Sequence, residues 1–370
     1  MKKVVAEFIY SLNDGGAETL IKNYCKVIDR TKYDVVIIAM YDIGDSVVKE
    51  AIQNLEIPIV YVYPHRTIVY RAVNFLIGRA FIKNRFKKII TQYRISTIHA
   101  HTAVLRYLLY SKSELDHVKL LYTCHSTPSR YFSGRLKKED TAARYLIQHN
   151  RLQMVALHNA MAEELNSWFS IDNTIVIRNG LILNEYNRGG FDKEEIRQKL
   201  GIKKNAFVIG HVGRFIKEKN HNLIIKVFIE VKKHNQSAFL LLIGDGELEN
   251  EIKKNLDDNG FNNDYLMLSH RKDIPELLAA MDVFLFPSKV EGLGIALVEA
   301  QVVGLPCVVS ESVPKEAIIS SNVSILELED PPSLWGKEVE GIFKGTNKCD
   351  KGMLSMYDLK VQMRILEQYY

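Results

Sequence analysis

The chain alternates short, continuously apolar runs with longer stretches of helical periodicity. Seven such runs occur in the first half, at residues 4–11, 34–40, 58–63, 97–101, 119–126, 154–158 and 174–180. Runs that are apolar throughout are typical of strands buried on both faces of a parallel sheet. Helical stretches between them indicate right-handed crossovers, so the pattern predicts a doubly wound α/β domain.

Five more runs follow, at residues 207–214, 238–247, 265–271, 282–288 and 305–312. The polar segment between the two series has no strand-like run of its own. We predict an N-terminal domain over 1–180, a linker over 181–205 and a C-terminal domain over 206–350. A C-terminal helix within 351–370 is expected to pack back on the N-terminal domain. The predicted architecture is two doubly wound, Rossmann-like α/β domains that face each other across a central cleft.

The composition, 47% hydrophobic and 25% charged over 370 residues, suits two globular domains with separate cores. The four cysteines are widely spaced and form no Cys-x-x-Cys pair, which favours a reducing cytoplasm over a disulfide framework or a zinc site. The start, MKKVVAEFIYS, carries Glu7 inside a short apolar run, which indicates a buried strand and not a signal peptide. No run of eighteen apolar residues is present, so we expect no membrane-spanning helix.

Ligands of open α/β sheets bind beyond the carboxyl ends of the strands, and several polar segments lie there. The segment LNDGGAE (12–18) follows the first run and opens a helix, where Gly15 and Gly16 let an anion approach free backbone N–H groups. A tight strand-to-helix turn is the alternative. The full G-x-G-x-x-G fingerprint is missing, so a nicotinamide cofactor is not favoured. GDGELEN (244–250) carries two acids that would repel an anion, and we interpret it as structural.

The segment HVGRFIKEKNH (211–221) places Arg214 and Lys219 where a strand ends and a helix begins. An arginine fork and a lysine at this place could neutralise a diphosphate. Lys217 is a nearby alternative, and two solvated loop cations are the simpler explanation.

The segment SKVEGLGIALVEAQVVGLP (288–306) places Glu291 at a Gly-x-Gly turn and Glu299 inside an apolar helix. A carboxylate among apolar neighbours is costly unless it has a partner. Glu299 could accept hydrogen bonds from a ribose diol, and Glu291 from a second hydroxylated group. A helix-terminal acid and an exposed glutamate are the alternative for either residue alone.

These segments together resemble the retaining GT-B glycosyltransferases of family four (glycosyltransferase group 1). The matching segments are GGAE, IHAH (98–101), TCHS (123–126), IRNG (177–180), VGRFIKEKNH, HRKDIPELLAAMDVFLFPS (270–288) and EGLGIALVEAQ (291–301). Glu-x7-Glu with the upstream Arg-x4-Lys is the specific part. The resemblance covers nearly the whole chain and implies a GT-B fold.

The resemblance also implies roles for individual residues. Arg214 and Lys219 would hold the diphosphate of a nucleotide-sugar, and Glu299 would bind its ribose. Glu291, with the backbone of Gly292, Leu293 and Gly294, would contact the donor sugar, and His125 would lie beside the transferred sugar. The remaining candidates are Gly15 and Gly16 at the phosphates, Arg271 and Lys272 at the base, and His99, His101 and Asn179 on the acceptor side. The family often has glycine where this chain has Asn220, and we expect local backbone changes there without loss of diphosphate binding.

Departure of a nucleoside diphosphate builds charge on its phosphates, and preorganised cations stabilise that charge without a metal. The sequence has no Asp-x-Asp and no convincing metal-ligand spacing, so we expect no metal and no other cofactor. Retention of anomeric configuration is implied by the family. Glu291 and Glu299 are assigned to the donor sugar and the ribose, so the paired-carboxylate mechanism of glycosidases does not apply.

From Ile57 to Ser113 the chain has no Asp or Glu, and residues 1–180 hold 25 Lys and Arg against 16 Asp and Glu. Cations interleave with apolar residues there, which predicts one or two cationic amphipathic helices that contact an anionic membrane surface. The candidate contacts are Arg71, Arg79, Lys83, Arg85, Lys87 and Lys88. The alternative is a solvated helix whose apolar side covers the sheet. No nucleic-acid-binding module is present.

Together with the resemblance, the sequence predicts a metal-independent glycosyltransferase, and the resemblance implies transfer of a hexosyl or N-acetylhexosaminyl group from a UDP-sugar to a lipid-linked or polysaccharide acceptor. It would act in bacterial capsule or exopolysaccharide synthesis, in the cytoplasm and peripherally at the inner face of the cell membrane. A UDP-sugar epimerase of the same fold is an alternative, and GGAE and EGLGIALVEA argue against it. A catalytically silent GT-B subunit that positions a partner enzyme is another. The complete set of candidate residues argues against that.

Overall fold

The computed structural model describes residues 2–63, 68–133, 136–186, 190–341 and 349–370. The chain forms two compact units. The first unit contains residues 1–180 and 359–370, and the second contains residues 181–358.

The first unit is built on a seven-stranded sheet with the order β3-β2-β1-β4-β5-β6-β7, in which every pair of neighbours is parallel. The strands are β1 (Lys3–Ile9), β2 (Tyr33–Tyr41), β3 (Ile59–Tyr63), β4 (Thr97–His101), β5 (Lys119–Thr123), β6 (Gln153–Ala156) and β7 (Ile175–Val176). The central strands are almost wholly buried, as continuous apolar runs require. Each of the seven runs in the sequence corresponds to one of these strands.

Helices connect the strands of this first sheet. They are α1 (Gly16–Val27), α2 (Val47–Gln53), α3 (Ile68–Tyr93), α4 (Leu105–Tyr110), α5 (Pro128–Phe132), α6 (Lys137–Asn150) and α7 (Asn159–Phe169). Because all strands are parallel, their carboxyl ends lie at one edge of the sheet, where β1, β4 and β5 are neighbours or next neighbours. His101, the last residue of β4, therefore lies at the same edge as the residues that follow β5.

The second unit is built on a six-stranded parallel sheet with the order β10-β9-β8-β11-β12-β13. Its strands are β8 (Phe207–Val212), β9 (Ala238–Ile243), β10 (Tyr265–Leu268), β11 (Val283–Phe286), β12 (Cys307–Ser310) and β13 (Val323–Leu326). Its helices are α8 (Lys193–Lys199), α9 (His221–His234), α10 (Glu249–Asp258), α11 (Ile274–Ala279), α12 (Ile295–Val303), α13 (Pro332–Gly341) and α14 (Lys351–Met356).

Strand β13 was not predicted from the sequence. It has four residues, VSIL, lies at the edge of the sheet and is only partly buried. A short edge strand with one partner lacks the continuous apolar run that marks the central strands. Two parallel Rossmann-like sheets with helices nevertheless confirm the predicted fold class.

Residues 181–205, predicted as a linker, belong to the second unit. Arg197 of α8 is buried and its Nη2 lies 2.7 Å from Asp282 Oδ2, while the same carboxylate oxygen accepts a hydrogen bond from the backbone N–H of Val208 at 2.7 Å. Lys193 Nζ lies 2.5 Å from Asp282 Oδ1. Two charged residues of this segment, Lys193 and Arg197, therefore anchor α8 to Asp282, which directly precedes β11.

The predicted C-terminal helix divides between the two units. Helix α14 belongs to the second unit, whereas α15 (Leu359–Leu366) and the 3-10 turn Glu367–Tyr369 belong to the first. Gln362 accepts a hydrogen bond from the backbone N–H of Arg178 at 2.9 Å. The second unit ends at Asp358, eight residues beyond the predicted boundary at 350.

In the part of the chain that the structure describes, no helix is both long and apolar enough to cross a bilayer.

Candidate active site

The segment VGRF follows β8 and carries the first group of predicted residues. Arg214 is exposed, and Lys219 ends the 3-10 turn Lys217–Lys219. Asn220 caps α9 with φ 56° and ψ 44°, which is left-handed backbone. Glycine and asparagine both adopt this conformation readily. We expected the backbone to differ here because the family often has glycine at this position. Asn220 has a left-handed conformation that glycine also adopts readily, so replacing glycine by asparagine requires no change of the backbone.

Lys219 and Glu291 form an ion pair in the second unit. Lys219 Nζ lies 2.5 Å from Glu291 Oε1, and both side chains are mostly buried. The ammonium also lies over the ring of Phe286, 4.9 Å from its centroid. Lys217, the alternative cation on the same turn, is exposed. A mostly buried charge needs a partner, and these two residues neutralise each other.

Helix α12 begins after Gly294, whose φ of 82° is easily reached only by glycine. A Cβ there would make ordinary van der Waals contact with Phe286 at 3.4 Å, so the backbone conformation and not space requires glycine. Glu299 lies inside α12, and its Oε1 accepts a hydrogen bond of 2.5 Å from the hydroxyl of Tyr186. The carboxylate is thus oriented by the segment 181–205, which the sequence did not indicate. Between the two acids, Leu293 is buried.

The GDG loop after β9 packs against the segment VGRF. A Cβ on Gly244 would lie 2.1 Å from the carbonyl oxygen of Gly213, and one on Gly246 would lie 2.6 Å from that of Phe215. Both glycines have positive φ, 151° and 154°. Close backbone approach explains the two glycines and agrees with the structural interpretation of this loop.

Arg271 and Lys272 lie on the exposed loop after β10. The guanidinium of Arg271 is paired with the carboxylate of Asp273, with Nε 2.7 Å from Oδ1. This pairing raises the pKa of Arg271 and lowers that of Asp273, chiefly through the hydrogen bonds between them.

In the first unit, Gly15 caps α1 and Gly16 is its first helical residue. Gly16 is exposed, and a Cβ there would meet nothing within 4 Å. A Cβ on Gly15 would lie 2.4 Å from Glu18 Oε2, so the acid of the first turn folds over this glycine. An acid at a helix N-terminus is stabilised by the helix dipole.

His101 and His125 are brought together at the carboxyl ends of β4 and β5. His101 Nδ1 lies 2.9 Å from His125 Nε2, and His101 Nε2 lies 2.7 Å from Glu7 Oε2. Burial, together with the charge of His99, lowers the pKa of His101 to about 4. Burial likewise lowers the pKa of His125 well below its usual range. Both imidazoles are therefore neutral at physiological pH.

His99 belongs to the same buried group. Its Nδ1 lies 3.0 Å from the hydroxyl of Tyr370, and its Nε2 lies 2.7 Å from Thr123 Oγ1. Tyr370 donates a 2.8 Å hydrogen bond to Glu7 Oε1. The sequence analysis missed Glu7 as a site residue and did not indicate its contact with Tyr370. An acid inside the otherwise apolar run VVAEFIYS (4–11) was the available signal for Glu7.

Glu7, His99 and His101 also offer three ligand atoms within 4.8 Å of one another, which could hold a metal ion. The sequence spacing did not reveal this group, because Glu7 is more than ninety residues from the histidines. Each ring nitrogen of His99 and His101 already lies within hydrogen-bond distance of a protein atom. Each of these four nitrogens therefore has a hydrogen-bond partner within the first unit.

Two polar side chains near these strand ends have a buried atom with no hydrogen-bond partner among the described residues. They are Asn179, through Oδ1, and Thr102, through Oγ1. Thr102 also has φ 59°, a strained backbone for a β-branched residue. Such strain is often found at functional sites. Thr102 directly follows His101 and was not singled out from the sequence.

The basic stretch forms the single helix α3. Its described apolar side chains face the core: Phe81 stacks on Tyr63 at 5.1 Å between ring centroids, and Phe86 packs edge-on against Phe8 at 5.1 Å. Ile82 is also fully buried. This part of α3 covers the sheet, as the simpler alternative predicted.

The cations of α3 differ in their surroundings. Arg79 lies over the ring of Tyr110, Lys83 is 3.8 Å from Glu114, and Arg85 donates to the carbonyl oxygen of Tyr61 at 3.0 Å. Lys87 and Lys88 are exposed. The side chain of Arg71 lies outside the described residues.

Two family models match the chain. The model for Glycosyltransferase Family 4 matches residues 14–185, and the model for Glycosyl transferases group 1 matches residues 192–333. Together they cover most of both units.

A relative similar over most of the chain is the putative glycosyltransferase EpsF of Bacillus subtilis (strain 168). It is 28% identical over 344 residues, which is 91% of this chain and 87% of the relative. The UDP-Gal:alpha-D-GlcNAc-diphosphoundecaprenol alpha-1,3-galactosyltransferase of Escherichia coli is 33% identical over 186 residues, 48% of each chain.

The solved structure of Anabaena Alr3699/HepE in complex with UDP and glucose has the same fold. It superposes with a TM-score of 0.74 and 19% identity, covering 100% of this chain and 96% of that chain. The expected family and fold are confirmed. The chain belongs to the family-four group 1 glycosyltransferases and has their GT-B fold.

Proposed function

We propose that the protein transfers a hexosyl or N-acetylhexosaminyl group from a UDP-sugar, with retention of configuration and without a metal. The acceptor is a lipid-linked sugar or a polysaccharide in cell-surface polysaccharide synthesis. The observation that carries this proposal is the Lys219–Glu291 ion pair, because it holds a cation and a carboxylate together where β8 and β11 end.

The donor site lies in the second unit. Lys219 and the exposed Arg214 bind the diphosphate and stabilise the charge that develops on the leaving UDP. Glu299, oriented by Tyr186, accepts hydrogen bonds from the ribose. Glu291 releases Lys219 to the phosphates and accepts hydrogen bonds from the donor sugar. Each of these residues thus meets a ligand group of complementary charge or hydrogen-bonding character.

His125 contacts the transferred sugar, and Asn179, whose buried Oδ1 has no hydrogen-bond partner among the described residues, belongs to the acceptor side. His99 and His101, the other two acceptor-side candidates, are fully buried with both ring nitrogens occupied, so they act behind His125 and not on the acceptor. The names of the relatives support the substrate classes. The Escherichia coli relative is named for a UDP-galactose donor and a diphosphoundecaprenol-linked acceptor, and the Anabaena structure contains UDP and glucose.

The donor proposal is tested by calorimetric titration with UDP and GDP, each with and without EDTA. We expect UDP to bind more tightly than GDP and its binding to survive chelation. Lys219→Ala is expected to weaken UDP binding by about tenfold or more, since a charge-assisted hydrogen bond contributes about 1.5–3 kcal/mol. Lys217→Ala is the matched control, because Lys217 lies on the same turn and is exposed.

Absence of binding of either nucleotide to folded protein would contradict the donor site and favour the silent-subunit alternative. Loss of UDP binding on adding EDTA would contradict metal independence. Retention is checked separately by the anomeric configuration of the first product, read by NMR before mutarotation.

We further propose that the basic face of α3 contacts anionic membrane. Lys87 and Lys88 are exposed there, and each cation near an anionic leaflet contributes about 1 kcal/mol. The double variant Lys87→Gln, Lys88→Gln should lose about 2 kcal/mol and so bind phosphatidylglycerol vesicles about thirtyfold more weakly. The matched control is Lys253→Gln, Lys254→Gln, which removes two exposed lysines from α10. Equal binding of both variants, or equal binding to phosphatidylcholine vesicles, would contradict the proposal.

A further inference from the structure

The first unit contains a continuous chain of hydrogen bonds that ends at His125. It begins at Glu7, which lies on β1 and is buried. Glu7 Oε2 lies 2.7 Å from His101 Nε2, and His101 Nδ1 lies 2.9 Å from His125 Nε2. His101 is fully buried, so these contacts exclude solvent. The chain therefore connects a buried carboxylate to the partly exposed histidine at the strand ends.

A second arm reaches Glu7 through its other oxygen. Tyr370 donates its hydroxyl proton to Glu7 Oε1 at 2.8 Å, although the two residues are 363 positions apart in the sequence. The same hydroxyl oxygen lies 3.0 Å from His99 Nδ1. Since the hydroxyl has one proton and gives it to Glu7, its oxygen accepts from His99 Nδ1–H. Both arms therefore donate toward the carboxylate.

The charge of Glu7 fixes the direction of these bonds. Three groups that can donate a proton surround the carboxylate and stabilise its ionised form. They are the Tyr370 hydroxyl, 2.8 Å from Oε1, and His101 Nε2 and His99 Nδ1, 2.7 Å and 3.4 Å from Oε2. An ionised carboxylate only accepts hydrogen bonds. His101 must then carry its proton on Nε2. A neutral imidazole has one N–H, so His101 Nδ1 is an acceptor and His125 must donate from Nε2.

We propose that Glu7 is a positioning residue for His125. Acting through His101, it selects the tautomer of His125 that has its proton on Nε2 and its lone pair on Nδ1. His125 then offers a hydrogen-bond acceptor, and not a donor, to a substrate hydroxyl. This inference rests on the proposed function for the statement that His125 contacts a sugar. The tautomer itself does not depend on that function.

Tyr370 lies beside the chain of hydrogen bonds from Glu7 to His125 and is not part of it. Its hydroxyl donates to Glu7 Oε1, whereas His101 lies against the other oxygen, Oε2. His99 Nδ1 donates to Tyr370 whether His99 is neutral or protonated, so the His125 arm keeps its direction in either case. Removing the Tyr370 hydroxyl leaves the charge of Glu7 and the bond to His101 in place.

The test measures the ring-nitrogen chemical shifts of His125 in full-length protein labelled with ¹⁵N-histidine, assigned by the loss of signals in His125→Asn. We expect wild-type His125 to be protonated on Nε2. In Glu7→Gln an amide replaces the carboxylate and can donate toward one arm. We therefore expect the Nε2–H form of His125 to decrease. Tyr370→Phe is the matched control and should retain it.

Turnover and UDP binding are measured on the wild type and on Glu7→Gln, Tyr370→Phe and His125→Asn, with a panel of UDP-hexoses. Glu7→Gln should lower kcat by about 10- to 100-fold, the size of a lost charge-assisted hydrogen bond, with an unchanged Kd for UDP. Tyr370→Phe should change kcat by less than about threefold. Unchanged Kd for UDP also shows that the second unit of each variant is folded.

Wild-type His125 protonated on Nδ1 would overturn the proposal. So would a Glu7→Gln protein whose His125 tautomer and kcat are both unchanged. A zinc ion that copurifies with the wild type and is lost in Glu7→Gln would also overturn it, because a metal would then fix the histidines. A failure of the proposed function would be recognised separately. In that case His125→Asn would leave UDP-hexose turnover unchanged, whereas wild-type His125 would still be protonated on Nε2.

Discussion

Lys219 and Glu291, 72 residues apart in the sequence, form a mostly buried ion pair at 2.5 Å. In the proposed function, these two residues bind different parts of one donor. A diphosphate that binds Lys219 must therefore compete with Glu291. The ion pair keeps both charges neutralised in the absence of the donor, which avoids the cost of an unpaired buried charge.

The competition predicts that Glu291→Gln has opposite effects on UDP binding and on turnover. Glu291→Gln should bind UDP as tightly as the wild type or more tightly, because it removes the carboxylate that competes for Lys219. Its kcat should fall by about 10- to 100-fold, because the donor sugar loses a charged partner. Calorimetry with UDP and initial rates with UDP-hexoses measure the two effects. Weaker UDP binding by Glu291→Gln would show that the carboxylate orients Lys219 in the complex.

The contact between Tyr186 and Glu299 predicts which part of the donor this acid recognises. Glu299→Gln should weaken UDP binding by about tenfold, because a charge-assisted hydrogen bond to the ribose becomes a neutral one. Binding of inorganic pyrophosphate, which has no ribose, should be unchanged. Glu251→Gln, an exposed acid on α10, is the control. Equal losses for UDP and pyrophosphate would contradict ribose recognition.

We expect substitution of Gly244, near the proposed donor site, to destabilise the protein. A Cβ there would lie 2.1 Å from the carbonyl oxygen of Gly213, and the backbone has φ 151°. Gly244→Ala should lower the free energy of unfolding by about 2 kcal/mol or more. It should also weaken UDP binding, because Gly213 precedes Arg214. Gly260→Ala is the control: its φ of 81° is strained, but no atom lies within 4 Å of the added Cβ.

Gly260→Ala should cost only about 1 kcal/mol and leave UDP binding unchanged. Urea unfolding followed by fluorescence gives the stabilities. Equal losses of stability in the two variants would show that backbone strain, and not contact with Gly213, explains Gly244.

Buried His221 predicts a loss of stability in mild acid. Burial, with the charge of Lys219 nearby, lowers the pKa of His221 from 6.5 to about 4. Between these values the unfolded chain binds a proton that the folded chain does not. The contribution of His221 is therefore complete above pH 6.5 and decreases as the pH falls, by about 1.4 kcal/mol per pH unit.

Unfolding by urea at several pH values between about 7.5 and 5 measures this slope. His221→Phe should reduce the slope, since it removes the titrating group. His234→Gln, which removes an exposed histidine from the end of α9, should leave the slope unchanged. A wild-type slope that is unaffected by His221→Phe would contradict the assignment.

The sequence predicted the fold class and twelve of the thirteen strands, because buried parallel strands are continuously apolar. It missed β13, whose four residues lie at a sheet edge. It also separated residues 181–205 from the second unit, because the charges of α8 gave no sign that Arg197 is buried against Asp282. Composition shows that a segment is polar, but not whether its charges have partners.

The sequence by itself determined the two parallel sheets and the identity of the candidate residues, since hydrophobic period and strand-end position are local properties. Only the tertiary structure decided how those residues pair: Lys219 with Glu291, Tyr186 with Glu299, and Glu7 with both His101 and Tyr370. Hydrogen bonds and ion pairs act over a few ångströms, and parallel sheets bring together residues far apart in the chain. The partners of a buried charge are therefore set by the fold and not by spacing along the sequence.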